Sequence, residues 1–188
     1  METKDFDYLR DELSLRAKNG LDFTLAASVV WALIAIIWTI DEADAYDKSV
    51  LTFIVGGILL PLAFTFSKVL KTNWKVKNNP LQPLGLWLNF AQLFYFPFLF
   101  FCLLRYPQYF LMAYAIITGA HFFPYAWYYR TAWYAVFAGI VSFGALMIGY
   151  QAFTGEQFVI GIFTSACLAL LSIFLYVDFN RRKQRWYL

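Results

Sequence analysis

Six long apolar runs restrict the fold of this chain more than any other feature. They occupy about 21–40, 50–70, 84–104, 108–127, 131–150 and 157–179. A helix needs about 20 residues to cross roughly 30 Å of hydrocarbon, and each run is long enough. Lipid offers the backbone no hydrogen-bond partner, so only helices or closed barrels can span it. Barrel strands alternate polar and apolar residues, whereas these runs are apolar on both parities. The expected fold is therefore all-α, an integral membrane bundle of six transmembrane helices. Composition agrees, with 61% hydrophobic and only 14% charged residues in 188. Soluble domains carry about 25% charged residues. That balance excludes a disordered chain, a disulfide scaffold and an ordinary soluble enzyme.

The first 19 residues are different in kind. They hold five acids and four bases, with Phe6, Leu9, Leu13 and Ala17 at helical spacing. This spacing predicts a short amphipathic helix lying on the membrane or on the protein's own cytoplasmic face. Asn19-Gly20 reads as its stop. Three parts follow: an amphipathic segment over 1–19, a transmembrane domain over 20–180 and a basic tail over 181–188. Ala43-Asp44-Ala45 matches a small-x-small cleavage pattern. The run before it is longer than a signal peptide's 7–15 apolar residues and follows an acid-rich leader, so a retained span is expected.

Charge predicts the orientation. Of 15 lysines and arginines, 13 fall in the N-terminal segment, the linker between runs two and three, the turn at Arg130 and the tail. Only Lys48 and Arg105 fall in the alternate loops. The positive-inside rule then places both termini in the cytoplasm. Because the bases flank apolar spans, the expected partners are the lipid bilayer and anionic headgroups, not nucleic acid. The tail RRKQRWYL is expected to meet such headgroups, with Trp186 and Tyr187 as anchors.

Polar side chains inside the spans are costly and therefore informative. From helix rise, Asn89 and Gln92 lie about 7 and 12 Å above the cytoplasmic boundary, and His121 about 12 Å above it. Asn89 and Gln92 share one helix face at i, i+3. Asp22 opens the first span and Asp178 closes the sixth, both at that boundary. These residues, with Tyr125, predict a ligand-binding cavity facing the cytoplasm. The plainer alternative is interhelical packing glue for Asn89, Gln92 and His121, a helix N-cap for Asp22, and pairing of Asp178 with Arg181 or Arg182.

The stretch HFFPYAWYYRTAWY over 121–134 is dense in aromatics. An interfacial belt accounts for most of them; an aromatic cage for an organic cation is the second reading. Pro61, Pro97 and Pro124 are expected to bend spans two, three and four. Glycines Gly56 and Gly57 in span two, against Gly139, Gly144 and Gly149 in span five, would fit a three-plus-three inverted repeat with paired broken helices.

Catalytic and cofactor signatures are absent. There is no GxSxG, HExxH, intramembrane carboxylate pair or phosphate-binding glycine run. With one histidine and no CxxC, neither a metal nor another cofactor is expected. Cys102 and Cys167 read as inert core residues.

The segments KNGLDFTLAAS (18–28), NPLQPLGLWLNFAQLFYFP (79–97) and GAHFFPYAWYY (119–129) resemble a family of small bacterial multi-pass membrane proteins known only as a domain of unknown function. The resemblance implies a bacterial cytoplasmic membrane protein and offers no activity. The expected function is small-molecule binding or transport. One alternative is an intramembrane enzyme on a lipid or amphiphile, with His121 as acid–base. Another is a non-catalytic assembly protein, including a homo-oligomer, packing through Ala115/Gly119 and Ala135/Gly139.

Overall fold

A computed structural model of the chain describes residues 5–151 and 156–186. Lys4 and Tyr187, which the sequence enlists in the basic flank and the tail anchor, lie outside those residues. The described residues form helices and no strand. In order these are α1 (Phe6–Arg16), α2 (Leu21–Trp38), α3 (Ala45–Gly56), α4 (Leu59–Leu70), α5 (Gln82–Leu93), α6 (Phe96–Arg105), α7 (Phe110–Tyr128), α8 (Trp133–Gln151) and α9 (Phe158–Trp186).

Five stretches are long and apolar enough to cross a membrane: Lys18–Trp38, Ala45–Leu70, Gln82–Arg105, Trp133–Gln151 and Phe158–Trp186. The expected count was six. The remaining helix, α7, carries His121, Pro124, Trp127 and three tyrosines, which dilute its apolar character. It packs against α5, α6, α8 and α9. A helix walled in by protein on several sides has less need to be apolar all round.

Spans two and three are each made of two helices. The chain breaks at Gly57-Ile58 between α3 and α4, and at Phe94-Tyr95 between α5 and α6. Pro61 and Pro97 fall in the first turns of α4 and α6, where backbone N–H groups have no helical partner to lose. Pro124, by contrast, sits within a continuous α7. Span five is also continuous, so the broken pair is two and three and not the two and five of the repeat pattern.

Two antiparallel pairs form the centre, α2 with α9 and α7 with α8. Polar groups lock the first pair. Ser28 Oγ donates to the Ser165 carbonyl at 3.1 Å, and Ser165 Oγ returns a bond to the Ser28 carbonyl at 2.8 Å. Ser172 Oγ donates to Thr24 Oγ1 at 2.8 Å. Around them Ile34, Leu168, Leu171 and Leu175 are fully buried. The second pair uses small residues: a Cβ on Gly119 would stand 2.9 Å from the Ser142 backbone nitrogen. The Ala115/Gly119 face is thus spent inside the molecule, with Ala115 fully buried. At Gly139 a Cβ would meet nothing within 4 Å.

At one end, α1 lies across the bundle. Asn19 and Gly20 adopt left-handed backbone (φ 57° and 72°), which turns the chain between α1 and α2. Asn19 is fully buried. Its Nδ2 donates to the Leu175 carbonyl at 3.1 Å and to Asp178 Oδ2 at 3.2 Å, and its Oδ1 accepts from Ser14. Leu9 and Leu13 face inward as expected, but Phe6 is exposed, so the apolar stripe covers only part of α1. Arg130 pairs with Asp7 and Asp11, and Arg182 with Asp11 and Asp178. Asn73 N–H and Asn79 Nδ2 bond to the carbonyls of Arg16 and Leu9. The N-terminal segment, the 71–81 loop, the turn at Arg130 and the last turns of α9 therefore share one end.

A Cβ at position 161 would lie 2.8 Å from the Ala35 backbone, where α2 and α9 touch. Gly161→Ala should lower stability by about 1–3 kcal/mol, because backbone on a packed helix cannot retreat. Gly139→Ala, facing open space, should be neutral or raise it by up to about 1 kcal/mol. Thermal unfolding of the two variants in detergent checks the contrast; equal melting temperatures would contradict the packing.

Candidate functional site

Inside the bundle end covered by α1 is a cavity of about 340 Å³. Its walls come mainly from α2, α5, α7 and the 71–81 loop. It is built around one carboxylate. Asp22 is the second residue of α2 and only 1% exposed. Its Oδ2 accepts from Thr72 Oγ1 and from Trp74 Nε1, both at 2.6 Å, and its Oδ1 accepts from the Phe23 amide at 3.0 Å. Gly20, not Asp22, occupies the cap position of α2, so the N-cap reading of Asp22 is corrected. Among the described residues no lysine or arginine pairs with Asp22. A buried carboxylate needs several donors to replace water, and here all of them are neutral.

The local chain explains how the donors arrive. Lys71 takes a left-handed conformation at the end of α4, and the Thr72 amide closes on the Ser67 carbonyl at 3.0 Å. This turn carries Thr72 and Trp74 back over the start of α2. The Trp74 ring rests against Phe23 (4.8 Å between centroids) and edge-on to Phe64 (6.0 Å).

Tyrosines form the adjoining wall. Tyr125, Tyr129 and Tyr134 lie with ring centroids 5.7–5.9 Å apart. Tyr134 OH donates to the Asn19 carbonyl at 2.7 Å, and Tyr125 OH to the Gly85 carbonyl at 3.3 Å. A Cβ at Gly85 would stand 2.7 Å from Tyr128 OH, so a larger residue there would displace that ring. Farther in, Trp31 faces Tyr114 at 5.2 Å.

The cavity gathers five of the six residues singled out from the sequence: Asp22, Asn89, Gln92, His121 and Tyr125. Their exposures differ. Asn89 is exposed, and its Nδ2 bonds to the Gly85 carbonyl of its own helix at 3.1 Å. Gln92 and His121 are half-buried. His121 sits edge-on to Tyr125 at 5.3 Å. Asp178 is the exception. It belongs to the ion cluster at the bundle end and lines a separate pocket with Asp11, Arg130, Arg181, Arg182 and Arg185. Its partner is Arg182, as the plainer reading had it.

Sequence reasoning passed over Thr72, Trp74 and Tyr134. The first two lie 50 and 52 residues from the group they bind. Trp74 in a basic linker was a usable signal, because a tryptophan outside the belts needs another place for its ring and N–H.

The whole of this cavity falls inside one sequence match. A profile for a family of unknown function, DUF7010, covers residues 6–178. The chain belongs to that family. The DUF7010 match takes in α1, every residue lining the cavity and α9 as far as Asp178, and it stops before Arg181. No curated protein and no solved structure matches the chain.

Removing either neutral donor from Asp22 should be expensive. Thr72→Val keeps the shape of the side chain and deletes a bond to the carboxylate, while Trp74→Phe deletes the other bond and also shrinks the ring that packs on Phe23 and Phe64. Each should lower stability by about 1.5–3 kcal/mol. Unfolding of the two variants in detergent measures it, and wild-type stability in both would mean that Asp22 does not rely on them.

Proposed function

We propose that this protein is a six-span membrane protein, with both ends in the cytoplasm, that binds a small molecule in the Asp22 cavity and presents it to, or moves it across, the bilayer. The cavity itself carries the reading. At about 340 Å³ it falls within the roughly 300–1,000 Å³ of small-molecule sites. Its lining follows the same pattern, mostly apolar and aromatic walls with a few convergent polar groups.

The sixth span in this reading is α7. Its 19 residues rise about 28 Å, close to the thickness of the hydrocarbon core. The end of the bundle that gathers the N-terminal segment, the 71–81 loop, Arg130 and the end of α9 holds most of the bases, which supports a cytoplasmic assignment for it. The cavity lies toward that end, so its ligand exchanges with the cytoplasm or the inner leaflet. The acid–base alternative draws less support. His121 makes no side-chain hydrogen bond among the described residues, and a general base needs a group that orients it.

Orientation is tested by labelling intact cells with a membrane-impermeant maleimide. Native Cys102 and Cys167 are both buried. Asp41→Cys should react from outside, whereas Asp5→Cys and Lys183→Cys should react only after the cells are opened. Labelling of either end in intact cells would overturn the topology.

Binding is tested with a thermal-shift screen of metabolite-sized compounds on the purified protein. A true ligand at 100 times its Kd should stabilise by about 2.7 kcal/mol. Gln92→Trp, which fills the cavity, should abolish the shift. No stabilising compound, or equal shifts in both proteins, would count against the cavity as a binding site.

A further inference from the structure

We infer that the ligand of this cavity is an organic cation, a quaternary or protonated amine with an apolar body; this rests on the binding reading above. Three observations lead there. The first is charge. Asp22 is buried at the cavity wall and is held by two side-chain donors and one amide, none of them cationic. The ionisable groups lining the cavity besides Asp22 are the tyrosines, His121 and Lys75, and Lys75 is exposed on the 71–81 loop. A cationic side chain is thus missing from the interior next to the one carboxylate.

The second observation is the surface beside that carboxylate. Tyr129 and Tyr134 stack at 5.9 Å, with Tyr125 against both. Ring faces attract a cation through their quadrupole, and they do so more strongly away from water. A carboxylate next to several ring faces is the pairing that recognises alkylammonium groups, whereas an anion would be repelled by both elements.

The third is the rest of the volume. Beyond the tyrosines the lining is mixed: Trp31, Leu59 and Phe122 give it an apolar part, beside the uncharged polar groups of Asn89 and Gln92. On that side α4 packs against α2 and α5 against α7, while α4 and α5 barely touch each other. The apolar part of the lining suits the hydrocarbon portion of an amphiphilic amine.

A charge-only difference in ligand decides the matter. The probes are 3-hydroxyphenyltrimethylammonium and its uncharged isostere 3-tert-butylphenol, titrated calorimetrically into the full-length protein in nanodiscs, with empty nanodiscs subtracted. The cation should bind about tenfold more tightly, or better. Asp22→Asn should erase the preference, and Asp22→Glu, which keeps the charge, should retain most of it. Equal binding of the two probes would overturn the cation assignment while leaving the cavity as a binding site. A preference that survives in Asp22→Asn would overturn the role given to Asp22. Failure of both probes, alongside hits in the thermal-shift screen, would overturn the ligand class alone. The wild-type comparison stands even where a variant does not fold.

Discussion

Asn19 has no charge and no exposed surface, yet three helices beyond its own turn meet on it. Its side chain bonds Ser14 of α1 and Leu175 and Asp178 of α9, while its carbonyl accepts from Tyr134 of α8. Only a residue tolerant of the left-handed region can sit there, and asparagine does so while offering both a donor and an acceptor. With α1 folded back by this turn, the carbonyls of Arg16 and Leu9 become the seat for Asn73 and Asn79. That seat fixes the 71–81 loop, and the loop brings Thr72 and Trp74 to Asp22. The cavity is thus assembled by a relay of hydrogen bonds from neutral donors, starting at one buried amide.

The Asp22 carboxylate shows what such a relay can sustain. Desolvating an ion costs several kcal/mol even after the protein relaxes. Two side-chain donors, an adjacent amide and the positive end of α2 offset part of that. A lysine or arginine partner would have offset more and would also have neutralised the site. Evolved cores usually choose that partner; here the bases are held at the bundle end, in the cluster of Arg130 and Arg182 with Asp7, Asp11 and Asp178.

Much of the helical layout was legible because lipid forces it. Apolar run length located the helices to within a few residues, and the prolines at 61 and 97 marked two spans that turn out to be split. The bases gathered at one end as their alternation implied. Gln92 and His121 reached a common cavity because helix rise alone set their depth. What escaped reading was long-range and aperiodic. Asp22 looked like a cap because a cap needs only its neighbours, whereas its real partners lie in a loop with no hydrophobic period. Asp178 was equally close to the boundary, but its i+4 arginine took it out of the cavity. Asn89, at the right depth, turned out to be bonded along its own helix. α7 read as the equal of the other spans, although its polar and aromatic load sets it apart.

The α2–α9 pair also bears on how the molecule is made. The serines that lock these helices are 137 residues apart. Threonine 24 waits still longer, for Ser172. A ribosome emits Ser165 of α9 137 residues after Ser28 of α2, so α2 spends that interval without its principal partner. During that interval Ser28 lacks the Ser165 carbonyl to which it donates in the finished bundle. Closure of the centre therefore waits for α9, and a chain cut short before α9 holds every cavity-lining residue without the helix that fixes α2 among them.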